Sequence, residues 1–187
     1  MTASLAGSVE LTFDDGPDPV WTRAILAALR GSPPRATFYV IAPLANEHPE
    51  LLAAARADGH GVELHCYEHV AHTETDRATI ERDTERALGV LAKLGIRPRR
   101  WRTPGGVQAS WTHEIAAAHN LELCGWDIDT NDWRGHHAER MLADAGPDLH
   151  RGAVVLLHDG LGPGALRNGC EETVRFARLM AAEAIAA

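Results

Sequence analysis

The chain has 187 residues, 24% of them charged and 45% hydrophobic, with a formal net charge of -8 at pH 7. That length reads as a single domain over residues 1–187 that buries roughly 70% of the surface its unfolded form exposes, and the composition excludes wholesale disorder. The acidic balance, relieved only by the short Arg97-Pro98-Arg99-Arg100 cluster, argues against nucleic acid or an anionic membrane as the main partner.

Short β-rich runs alternate with helical stretches from end to end. Val9 to Phe13 is an apolar run that predicts a first strand, stopped at once by Asp14-Asp15-Gly16-Pro17. Trp21 to Arg30 predicts a helix with Ile25, Leu26 and Leu29 on one face, ended by Gly31 and Pro33-Pro34. Ala36 to Ile41 predicts a strand, Pro49 to Asp58 a helix opened by proline, and Val62 to Leu64 a short strand running into His65. Arg77 to Leu94 is the longest helical segment, with Ile80, Leu88, Leu91 and Leu94 as its stripe and Gly95 as its stop. Trp101 sits in a short strand, Trp111 to His119 is helical, Leu121 to Ile128 is a strand, and Ala138 to Ala145 a short helix. Ala153 to Leu157 is a strongly apolar strand, and Glu171 to Ile185 closes the chain as a helix.

Six or seven strands alternating with helices predict a mainly parallel α/β sheet. Polar residues fall just after successive strands: Asp14 and Asp15, His65, Arg102, Asp129 with Asp132, and His158. Five strand ends meeting at one rim suit a barrel better than an open sheet with one crevice, because a closed ring brings all ends near one axis.

Cys66, Cys124 and Cys170 are widely spaced and form no Cys-x-x-Cys, which argues against a disulfide framework or a thiolate zinc site. Reduced thiols, together with no leader-like pattern in Met1 to Ser8 and no apolar run of roughly 18 residues, give the expectation of a cytoplasmic protein.

Two neighbouring carboxylates before Gly-Pro also suit an ordinary solvated turn or a cap on the next segment. The histidines change that balance. His65 and His69 stand four residues apart, close enough to reach one ion, and a carboxylate from the first strand completes a three-ligand site. Two imidazoles and one carboxylate leave a coordination position open for water, the mark of a catalytic rather than a structural zinc site. The remaining carboxylate can then take the water's proton.

Thr12-Phe13-Asp14-Asp15-Gly16-Pro17, His65-x-x-x-His69, Arg102-Thr103-Pro104-Gly105-Gly106, Asp129-Thr130-Asn131-Asp132-Trp133 and Leu156-Leu157-His158-Asp159 together resemble, in order and spacing, the five motifs of the polysaccharide deacetylase family, also called the NodB-homology or carbohydrate esterase 4 family. The resemblance implies a distorted (β/α) barrel that hydrolyses N-acetyl or O-acetyl groups. By motif position it makes Asp15, His65 and His69 metal ligands and Asp14 the general base, with Arg102 as its ion-pair partner. It makes His158 the general acid, oriented by Asp132, with Trp133 and Leu156 walling an acetyl pocket and the Gly105 N–H donating to the oxyanion. The divalent ion it implies is zinc first, with cobalt, nickel or iron(II) as substitutes.

The chain departs from that pattern in three places. Cys66 replaces the usual Ser or Thr after the first histidine and offers only a weak donor to brace the loop. Val70-Ala71-His72 replaces the usual proline after the second, with His72 read as a solvated loop histidine rather than a spare ligand. Gly105 stands where the family usually has Tyr, which predicts a missing aromatic wall. The substrate expected is an acetylated amino sugar, oligosaccharide or related small metabolite, with Trp21, Trp111 and Trp133 as candidate sugar contacts. Two other readings remain: a cyclic imide or ureide hydrolase of the same superfamily, and a silent metal- or carbohydrate-binding module.

Overall fold

The computed structural model describes residues 9–32 and 35–185; the Pro33-Pro34 stop and the Met1 to Ser8 stretch lie outside them. In chain order the elements are β1 (Glu10–Asp14), α1 (Trp21–Leu29), β2 (Ala36–Ile41), α2 (Ala42–Glu47), α3 (Pro49–Ala57), β3 (Gly61–Cys66) and α4 (Arg77–Lys93). They continue with β4 (Arg100–Trp101), α5 (Thr112–Ala118), β5 (Glu122–Leu123), β6 (Ile128–Asp129), α6 (Ala138–Ala145), β7 (Val154–His158) and α7 (Glu171–Ile185). Seven parallel strands in the order β5-β4-β3-β2-β1-β7-β6 curl into a barrel-like sheet with helices packed outside. Among the described residues, no helix is long and apolar enough to cross a membrane.

β1 holds the centre. Its register sets Asp14 beside Tyr39 of β2 and beside His158 of β7, so two polar strand ends are adjacent by construction. Alternation along the strands separates two layers. Leu11, Phe13, Phe38, Val155 and Leu157 join the helix-covered core with Ile25, Leu29, Phe176 and Met180. The other set faces inward and is polar. Glu10, Thr37 and Arg100 form one hydrogen-bonded group, with Arg100 donating to both partners. Above it Arg102 donates to Thr12 and Asp14 and lies 4.2 Å from the centre of the Tyr39 ring.

The strand expected over Leu121 to Ile128 is two bridges at opposite edges of the sheet, with β5 paired to β4 and β6 to β7. Its middle, Cys124 to Asp127, spans the gap between those edges. The physical reason is Arg102, whose Nε and Nη2 take the Cys124 and Gly125 carbonyls at 3.4 and 2.7 Å, so those groups serve a buried guanidinium instead of a strand ladder. The short α2, opened by Pro43, escaped the sequence reading because six residues carry too little periodicity. α4 begins at Arg77, where its sequence predicts, and the Asp76 carboxylate caps it by accepting from the Thr79 N–H at 2.7 Å.

Candidate functional site

Asp15 leaves β1 in the left-handed region, with φ at 74°, a conformation that a non-glycine residue holds only where its surroundings fix it. Just ahead of α1, Asp18 Oδ1 accepts from the N–H groups of Val20 and Trp21 at 2.8 Å, while Val20 stands at the N-cap position. Asp14 and Asp15 are thereby free of capping duty. The Asp15 carboxylate, 7% exposed, lies over the barrel mouth with Oδ1 at 3.3 Å from both His65 Nε2 and His69 Nε2. That oxygen has no hydrogen-bond partner although it is buried. Burial alone would raise its pKa, yet the two imidazoles beside it hold the carboxyl well below the usual range.

His65 Nδ1 lies 2.6 Å from the Arg102 carbonyl, which can only accept, so Nδ1 carries a proton and Nε2 is the nitrogen turned toward Asp15, free to serve as a ligand once it carries no proton. One atom from each of Asp15, His65 and His69 lies within 4.8 Å of the others, a grouping that could hold a metal ion. An orphaned carboxylate oxygen between two imidazole nitrogens is the donor set a divalent cation requires, so these residues fit the ion.

The loop between the two histidines is braced from α4. Asp83 accepts from the N–H groups of Tyr67 and Glu68 at 2.9 and 2.7 Å, and the Arg86 guanidinium lies 3.8 Å from the Tyr67 ring centre. A carboxylate acting across the fold thus does what a hydroxyl at position 66 would do locally, and Cys66 is buried instead. His72 corrects the sequence reading. It is buried rather than solvated, hydrogen-bonded to Thr112 Oγ1 at 2.9 Å and set against the rings of Trp101 and Trp111.

On the other side of the mouth, His158 Nδ1 lies 2.8 Å from Asp132 Oδ1. Burial would lower the His158 pKa, but the Asp132 hydrogen bond and charge overcome it and push the ring up to about 9. Burial likewise works against the Asp132 carboxylate, which His158 and Arg167 hold below its ordinary value. With Nδ1 occupied, Nε2 is the ring nitrogen left for other chemistry.

A cleft of about 270 Å³ joins these groups. Asp14, Asp15, His65, His69, Gly105, Trp133, Leu156 and His158 all line it, while Arg102 and Asp132 stand behind Asp14 and His158. Trp126 and the Gly160 to Arg167 loop, which the sequence reading missed, form much of the remaining wall. Trp126 also corrects the expected loss of an aromatic wall: its indole packs so closely on Gly106 that a Cβ there would stand 2.5 Å from the ring. Gly105, at φ 61°, keeps a backbone that side chains rarely adopt. Trp21 and Trp111 do not line this cleft. The paired Gly162-Pro163-Gly164 was the signal available for the loop.

A family model described as polysaccharide deacetylase matches residues 3–124. The chain belongs to this family. It is 33% identical over 174 residues to a chitooligosaccharide deacetylase of Bradyrhizobium sp., covering 90% of this chain and 78% of that protein. Among solved structures, a family 4 carbohydrate esterase from Streptomyces lividans in complex with acetate superposes with a TM-score of 0.84 at 28% identity, covering 96% of this chain and 88% of that one. A family 4 pseudoenzyme from Bacillus anthracis reaches 0.83 at 19% identity, covering 96% of this chain and 61% of that one.

Proposed function

We propose that this polysaccharide deacetylase family member is a metal-dependent amide hydrolase that removes N-acetyl groups from an amino-sugar oligosaccharide of the chitooligosaccharide class. The observation that carries the reading is the pairing of two independent devices across one cleft, the orphaned Asp15 Oδ1 between two imidazoles and the His158–Asp132 dyad. A pure metal binder needs only the first.

Asp15, His65 and His69 would hold the ion, zinc by donor preference, with cobalt, nickel or iron(II) compatible. Bound there, it supplies a Lewis acid for the acetyl carbonyl and lowers the pKa of water. Asp14, fixed by Arg102, accepts the proton of the attacking water. His158 delivers a proton through Nε2 to the departing amine nitrogen, and Asp132 keeps the ring oriented. The Gly105 N–H donates to the acetyl oxygen, and Trp133 and Leu156 enclose the methyl.

Acetate release from chitooligosaccharides, acetylxylan and small N-acetyl metabolites, with and without chelator, tests the assignment. Release from the chitooligosaccharides that chelation abolishes is expected. Hydrolysis of cyclic imides or ureides in place of acetyl groups would overturn it.

A further inference from the structure

Arg167, on the loop between β7 and α7, is a buried cation that none of the motifs accounts for; its side chain is 6% exposed. Nη1 donates to Asp132 Oδ2 at 2.9 Å and to Thr173 Oγ1 at 2.5 Å. Nη2 donates to the His158 carbonyl at 2.9 Å and reaches the Gly160 carbonyl at 3.4 Å. Asp132 Oδ2 also accepts from Thr173 Oγ1 at 2.7 Å and from the His158 N–H at 2.9 Å. Three donors thus converge on one carboxylate oxygen.

We propose that Arg167 is a positioning residue of the catalytic acid, locking Asp132 so that only Oδ1 addresses His158 and tying that dyad to the loop that walls the cleft. The proposal rests on His158 being the acid. Filling Oδ2 removes the carboxylate's freedom to rotate, which keeps the proton on Nδ1 and leaves Nε2 for the leaving group. Charge points the same way. When His158 gives up its proton, a buried Asp132 without a second cation would be left uncompensated and would compete for that proton; beside Arg167 it remains a carboxylate.

The same loop reaches the other half of the site. A Cβ on Gly162 would stand 2.0 Å from Asp15 Oδ2 and one on Gly160 2.3 Å from the Asp15 carbonyl oxygen, so the loop lies directly against the aspartate. Leu166 N–H donates to the Trp133 carbonyl at 2.8 Å. Arg167 therefore sits where the acid, its orienting carboxylate and the cleft wall are joined.

The test compares kcat and KM for acetate release from a chitooligosaccharide in the full chain, Arg167→Met, Asp132→Asn, the double variant and His158→Ala, with metal content and thermal melting followed alongside. Arg167→Met should lower kcat by roughly 10- to 100-fold with KM within about twofold and metal content unchanged, as expected for losing a charge-assisted hydrogen bond. In the Asp132→Asn background the same change should cost less than about threefold, since residues acting as one unit are not additive. Free guanidinium should restore part of the kcat of Arg167→Met. A fully additive loss, a rise in KM at constant kcat, or a loss that follows metal content would overturn the role. If Arg167→Met does not fold, Arg167→Lys takes its place, because one ammonium cannot span Asp132 and the His158 carbonyl together. Full activity in His158→Ala would instead remove the acid assignment itself.

Discussion

The Arg102 guanidinium donates from Nη1 to both Asp14 Oδ1, at 2.9 Å, and Thr12 Oγ1, with the Cys124 and Gly125 carbonyls on its other two nitrogens, and it has no exposure to solvent. One side chain therefore both completes the barrel between its edge strands and aims Asp14. Arg102→Met is expected to cost about 3–5 kcal/mol of stability, because it leaves a buried carboxylate without its cation. Arg102→Lys should lose less stability but still lower kcat, since an ammonium cannot serve four acceptors at those angles. Denaturant unfolding and acetate-release kinetics on the two variants check both.

Asp14→Asn keeps an acceptor for Arg102 and removes the proposed proton acceptor. Metal content should match the parent chain while kcat falls by roughly 10²–10⁴, the range associated with a general base. Elemental analysis beside kinetics reads the two effects apart, and undiminished kcat would remove Asp14 from that role.

Gly162 tests the close approach of the loop to Asp15. Ala at this position puts a methyl where Asp15 Oδ2 lies, so either the loop or the aspartate has to move. Affinity for zinc, measured by calorimetric titration, should weaken by roughly 10- to 100-fold, as for other groups that support a ligand from behind. Unchanged affinity would show that the loop yields instead.

His72 carries a pH effect independent of activity. Burial lowers its pKa to about 4, with His65 adding to the shift, so the folded chain keeps the ring neutral. Below its ordinary value of about 6.5 the unfolded chain takes up a proton that the folded chain refuses, and stability falls as the pH drops from about 6.5 to about 4. His72→Phe keeps a ring against Trp101 and Trp111, and Thr112 Oγ1 still accepts from the Ala109 N–H. Unfolding curves for the variant should show a shallower decline across that window; an identical decline would assign the acid sensitivity elsewhere.

Much of this site was legible because its polar residues sit at strand ends, where a short apolar or β-rich run stops at a charged or polar residue. Asp14, Asp15, His65, Arg102 and His158 could be found this way, and the register of β1 between β2 and β7 explains why Asp14 and His158 end side by side. Asp83, Trp126 and Arg167 were not legible, since each acts across the fold rather than within its own segment. Asp83 braces a loop 15 residues earlier, and Arg167 reaches Asp132 across 35 residues. The interrupted strand at Cys124 to Asp127 failed for the same reason: its carbonyls answer to Arg102, and nothing in its own residues announces that.

One ion shared by Asp15, His65 and His69 underlies the proposed reaction. Zinc titrated into metal-free protein, with bound ion and acetate release from a chitooligosaccharide followed together, tests it most directly. One ion per chain is expected, with activity rising in step with occupancy and both lost in His65→Ala. Acetate release from the metal-free chain, or one ion still held by His65→Ala, would contradict it.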